Sequence, residues 1–149
     1  MSPKIAYHLE QDEDGFPPIS VELLNATQLS VDTFRIANAP FFAKEVSFGD
    51  VVRAAPSSAA EQYEFVALIE GSSFTSLSII VLDPEMDTFL MDFFRGQQCV
   101  LEYGEFGSYR VLAVAIPPYA DYTEIRRQLA ILEGQSKLSF AELAVPAAA

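Results

Sequence analysis

Tryptophan is absent from this 149-residue chain, cysteine and histidine occur once each, and basic residues are outnumbered by acidic ones, 9 to 21. Each scarcity excludes a class of chemistry. The lone Cys99 cannot close an intrachain disulfide, which fits a reducing cytoplasm. With His8 and Cys99 as the sole imidazole and thiol, the usual nitrogen and sulfur donor set for zinc is not available, and no metal site is expected. A Ser-His or Cys-His pair needs its base beside the nucleophile. His8 instead stands in an alternating stretch, far in sequence from any candidate nucleophile, and reads as an ordinary exposed histidine. The formal charge of -12 opposes nucleic-acid binding, because phosphate affinity comes mainly from Lys and Arg. It favours a basic protein surface as partner. No apolar run approaches the ~20 residues of a membrane span, and Met1-Ser2-Pro3-Lys4 does not lead into a signal-peptide core. The expectation is a soluble, cytoplasmic protein without membrane contact, and no motif asks for a cofactor.

What is present is a foldable composition: 50% hydrophobic residues, 20% charged, and 12 phenylalanines. Ile5, Tyr7 and Leu9 alternate with Ala6, His8 and Glu10, the period of a half-buried strand. Asp14-Gly15 and Pro17-Pro18 are turn chemistry. A second strand follows over 19–26, with Ile19, Val21 and Leu23 on one face and Ser20, Glu22 and Leu24 on the other. Phe34 and Ile36 flank Arg35 in a third, Val51-Val52 form a short fourth, and 63–69 a fifth. Residues 1–70 thus read as a β-rich unit, a curled sheet or partial barrel.

Beyond Gly71 the character changes. A strand over 77–82 ends at Asp83-Pro84-Glu85, which predicts an N-cap at Asp83 with Pro at the first helical position. Met86, Phe89, Leu90, Phe93 and Phe94 recur at helical spacing, with Gly96 just past the end. Strands over 99–103 and 109–116 follow, turned by Gly104-Glu105-Phe106-Gly107. Asp121 and Glu124 have capping-box spacing before a helix that ends at Gly134. Leu138 and Phe140 alternate in a last strand, before an unstructured tail from Pro146 to Ala149. Residues 71–149 therefore read as a β-α-β-β-α-β, ferredoxin-like unit. The whole is an α+β protein.

The most distinctive stretch runs from Phe34 to Ala54. Phe41 and Phe42 are adjacent, so in extended backbone they face opposite ways and meet different neighbours. Asp50 follows Gly49 at the mouth of a strand, where an aspartate commonly bonds nearby backbone. As a general acid or base it would need a second carboxylate, and Glu45, Glu64 and Glu70 are the candidates. Asp12-Glu13-Asp14-Gly15 looks superficially like a calcium loop, but the acid such a loop requires falls at Leu23. The hydroxyl-rich segment 71–76 precedes a strand rather than a helix, unlike a phosphate loop. A ferredoxin-like sheet binds RNA through aromatics on its central strands, and 77–82 offers none. Candidate binding residues are Phe41, Phe42, Asp50 and Phe74, and no residue is assigned a catalytic role.

NAPFFAKEVSFGDVV, within 36–54, resembles an uncharacterised bacterial family known only as domain of unknown function 4265. The likeness extends from Gly15-Phe16-Pro17-Pro18 through Glu22, the Gly71 to Ile80 segment and the strand from Lys137 to Leu143. In the family pattern a histidine and an arginine stand where this chain has Phe74 and Ser78. The resemblance implies no activity.

Three functional readings follow, in this order. The first is a non-enzymatic interaction module, immunity- or antitoxin-like, whose acidic surface meets a basic protein. The second is a small-ligand-binding or sensor module with its pocket between the two halves. The third is a carboxylate-based hydrolase centred on Asp50. A homodimer is compatible with the edge strands of such sheets but not required.

Overall fold

The computed structural model describes residues 3–146. The alternation of the first half produces five strands: β1 Lys4–His8, β2 Val21–Gln28, β3 Thr33–Ile36, β4 Val51–Pro56 and β5 Gln62–Glu70. They form a closed barrel in the order β1-β2-β3-β4-β5, with β1 and β5 completing it in parallel. Closure is thus more complete than the curled sheet or partial barrel expected. Ile5, Tyr7, Leu24, Ala26, Phe34, Ile36, Val52 and Ala54 fill the interior. In β2 the buried phase is Glu22, Leu24 and Ala26, while Val21 and Leu23 face outward.

Fourteen residues separate β3 from β4 as an irregular loop, and two buried carboxylates hold its backbone. Glu22 is 5% exposed and accepts hydrogen bonds from the N–H groups of Phe41, Phe42 and Ala43 at 2.6, 2.9 and 2.8 Å. Asp50, equally buried, accepts from Ser47 N–H at 2.8 Å. A loop that covers a barrel end cannot send its amides to water, so inward-facing acids are the physical solution.

The second half comprises β6 Thr75–Val81, α1 Met86–Gly96, β7 Val100–Phe106, β8 Tyr109–Ile116, α2 Tyr122–Gly134 and β9 Leu138–Ala144. Its four antiparallel strands lie in the order β7-β8-β6-β9. Leu77, Ile79, Val81, Leu112, Val114 and Ile116 face the helices, meeting Leu90, Phe94, Ile125 and Leu129. Burial of each such side chain contributes roughly 1.5–3 kcal/mol.

Local corrections accompany this agreement. The first helix starts at Met86, not after an N-cap at Asp83: Asp83 accepts from Glu85 N–H and receives the Lys137 ammonium instead, closing a turn ahead of the helix. Asp121 does cap α2, accepting from Glu124 N–H. Gly96 is the last residue of α1 rather than a residue past its end, α2 ends at Gly134 as expected, and Gln98 and Ser136 take the left-handed positions beyond the two helices. β7 runs through Gly104 to Phe106, so the hairpin turns at Gly107-Ser108. Of the predicted unstructured tail, Pro146 lies outside any element and residues 147–149 lie outside the described residues.

Candidate functional site

The sheet face turned away from the helices carries small residues. The registers Ser76↔Ala115 and Ser78↔Ala113 place four of them side by side, and Ser78↔Ala141 and Ile80↔Ser139 continue the surface onto β9. Small side chains let another layer approach closely, and the β3–β4 loop does so over half of the face. Ala39 packs on Ala113 and Ala115, ringed by Phe41, Phe48, Phe74 and Val100. Loop and second half are also stitched by Glu45 N–H to the Leu143 carbonyl at 2.9 Å, and by Ser47 Oγ to the Phe74 carbonyl at 2.9 Å.

Over the other half of the face the loop does not reach, and a cleft of about 650 Å³ remains. Its floor is Ser78 and Ile80 of β6 with Ser139, Ala141 and Leu143 of β9. One wall is the end of β1 and the segment after it, residues 7–12, with Phe16 and Pro17; the rim is Phe42, Ala43 and Lys44. This volume lies in the range of small-molecule sites, about 300–1,000 Å³.

The four sequence candidates separate. Phe42 stands on the cleft, packed edge-on against Phe16 at 5.7 Å and Phe106 at 5.0 Å. Phe41 does not line it, and meets the same Phe106 at 5.0 Å. The two rings thus share Phe106 but otherwise have different neighbours, Phe41 in the cluster around Ala39 and Phe42 against Phe16 on the cleft. Gly104 makes room for Phe41: a Cβ there would lie 3.0 Å from Phe41 Cζ. Phe74 packs on Phe48 at 5.3 Å, away from the cleft. Asp50 is also absent from the lining; besides Ser47 it accepts from Ser72 N–H at 2.8 Å, so both its partners are backbone amides. Of the proposed second acids, Glu64 is engaged with His8 Nε2 at 2.7 Å. His8 is exposed, as expected.

Three charged residues, Glu22, Lys44 and the cleft-wall Glu10, were not among the sequence candidates. Glu22 had a signal, an acid in phase with Leu24 and Ala26. Lys44 had none beyond its place in the Phe-rich loop. Tyr7, on the cleft wall, is 7% exposed, and its hydroxyl has no partner among the described residues. Burial first, then the charges of Asp50 and Glu22, push its ionisation far above the ordinary tyrosine range, so it stays a neutral hydroxyl. Among the described residues no three His, Cys, Asp or Glu side chains gather as metal ligands, and no helix is long and apolar enough to cross a membrane.

Fold and cleft together define a mixed α+β protein in which a five-stranded barrel and a second, helix-backed sheet meet at an open groove. The chain belongs to the family described as Domain of unknown function (DUF4265), whose profile matches residues 22–140. It is similar over 99% of its length, and over 98% of the other chain, to a structure titled "Novel crystal structure of a hypothetical protein from Neisseria gonorrhoeae", at 21% identity and a TM-score of 0.79. That likeness establishes a shared fold. No curated protein matches the chain.

Proposed function

We propose that the protein is a small-ligand-binding or sensor module whose ligand lies between the barrel and the second sheet. The observation that carries this reading is the 650 Å³ cleft at that junction, floored by small and apolar side chains and rimmed by Phe42. Ligand sites favour such junctions, where a few polar groups orient a molecule held mainly by apolar contact. The division into units 1–70 and 71–149 belongs to this reading. So does a ferredoxin-like second unit, supported by its β-α-β-β-α-β order with β8 and β6 central. Asp50, committed to backbone amides, gives no support to the hydrolase reading.

A thermal-shift screen across nucleotides, amino acids and acyl compounds tests it. Ala141→Trp is the control, because Ala141 is an exposed floor residue whose enlargement fills the groove without disturbing the core. A ligand at a hundredfold excess over its Kd should raise the Tm by roughly 5–10 °C in the native protein and not in the variant. A flat response across the whole panel retires the reading.

An interaction module is the second reading. β5 exposes Phe65, Val66, Leu68 and Ile69 within five residues, an apolar stretch on a chain of charge -12. Exposed apolar patches mark protein contacts, and the charge suits a basic partner, including an immunity- or antitoxin-like pairing. Low-salt pull-down from the native host, with Val66→Glu as control, checks it: no protein captured by the native surface would end this reading.

A further inference from the structure

Four residues of the cleft lining carry or can carry charge: His8, Glu10, Asp12 and Lys44. Two are already engaged. His8 Nε2 is bonded to Glu64, and Asp12 Oδ1 accepts from Asp14 N–H and Phe16 N–H, each at 2.9 Å, fastening the turn after β1. The other two, Glu10 and Lys44, have no ion-pair or hydrogen-bond partner among the described residues. Nor do they pair with each other, although both line one cleft. Five of the nine bases in this acid-rich chain, Arg53, Arg110, Arg126, Arg127 and Lys137, do find a carboxylate. Among the described residues Lys44 is one of the four that do not, and Glu10 stands equally free on the wall of the same cleft.

Opposite charges that share a groove without touching call for a bridging molecule that carries both signs. The same lining includes the apolar side chains of Ile80, Leu143 and Phe42. We propose that the cleft binds an apolar or aromatic α-amino acid, with its carboxylate on Lys44, its ammonium on Glu10 and its side chain over Ile80 and Phe42. This rests on the reading of the cleft as a ligand site. A zwitterion also fits the charge balance, because it has no net charge for a chain of -12 to repel, as a simple anion would. Charge-assisted hydrogen bonds at both ends would supply orientation, and the floor would supply apolar contact.

Three probes with one ring and different ends test it by titration calorimetry on the full chain at pH 7: L-phenylalanine, phenethylamine, which lacks the carboxylate, and 3-phenylpropionate, which lacks the ammonium. L-Phenylalanine is expected to bind at least about tenfold more tightly than either analogue, the usual scale for losing one charged contact. Lys44→Gln should reduce it to the level of phenethylamine, and Glu10→Gln to the level of 3-phenylpropionate; both side chains are exposed, so neither change should affect folding. Ala141→Trp should abolish binding. If either analogue equals or exceeds L-phenylalanine while Ala141→Trp still blocks it, the cleft stands as a ligand site and the amino-acid assignment is overturned. Binding by none of the three also overturns the assignment, and the broad metabolite screen then judges the cleft separately.

Discussion

Asp50 and Ser72, 22 residues apart, clasp each other's neighbourhoods: Asp50 Oδ1 accepts the Ser72 N–H at 2.8 Å, while Ser72 Oγ donates to the Phe48 carbonyl at 2.6 Å. The clasp ties the barrel to the segment that leads into β6. Gly49 makes it fit, because its φ is +87° and a Cβ there would come within 3.1 Å of Ser72 Cβ. Asp50→Ala leaves the buried Ser47 amide and the half-buried Ser72 amide without an acceptor, at about 1–3 kcal/mol each, so a loss of roughly 2–6 kcal/mol is expected. Asp50→Asn, which keeps one carbonyl oxygen, should cost less. Urea unfolding measures both, and a neutral Asp50→Ala would show that the clasp does not stabilise the fold.

Glu22 holds three amides with one carboxylate, so its substitution is expected to loosen the loop before it loosens the barrel. Glu22→Gln puts an NH₂ group where one of the amide donors now points, with an expected cost of about 2–4 kcal/mol from lost charge-assisted bonds and opposed donors. Hydrogen exchange by mass spectrometry should show residues 41–43 exchanging faster while β3 and β4 keep their protection. Because Phe42, Ala43 and Lys44 form the cleft rim, ligand binding should weaken in the same variant. Unchanged protection at 41–43 would contradict this account.

Strands were legible where alternation was clean, as in β1 and β3, and α2 was legible from Asp121 and Glu124. The buried face of β2 was not, because Val21 and Leu23 are as apolar as the Leu24 and Ala26 that actually fill the barrel. Gln98 and Ser136 are left-handed without being glycine. Local propensity points elsewhere at both positions, and the packing of the following strand imposes the conformation. Phe42 and the junction itself were visible as candidates. The cleft floor was not, since Ser78 and Ala141 have no distinguishing chemistry and meet only through the β6–β9 register. Asp50 was legible as a turn-fastening residue, but its partner Ser72 was not, being a long-range choice.

Cys99 should be nearly inert in the native protein. Burial alone pushes its thiol up to about 12, so very little thiolate exists near pH 8. Reaction with a disulfide reagent such as DTNB should run about a thousandfold slower than in the unfolded chain, whose thiol titrates near 8.5. One equivalent should then appear at once on adding denaturant. Rapid labelling without denaturant would place the sulfur in a more polar setting than its packing beside Phe94 and the second-half core implies.

Acid should weaken the second half through two carboxylates. Glu124, first through its bonds from Arg127 and then from Gln128, is held down to about 2. Asp83 is lowered first by its hydrogen bond from Lys137 and then by the Glu85 amide. A carboxylate depressed in the folded state contributes stability that is complete above its unfolded value, near 4, and is lost as pH falls toward the folded value. The window for Glu124 is therefore from about pH 4.5 down to about 2. Both groups sit at the surface, so the change should be modest and reduced by salt. The urea midpoint followed from pH 6 to 2 should fall through this window, and Glu124→Gln should flatten part of the slope. A variant that titrates like the native protein would assign the acid response to other carboxylates, and repeating the series with Lys137→Met would then isolate the contribution of Asp83.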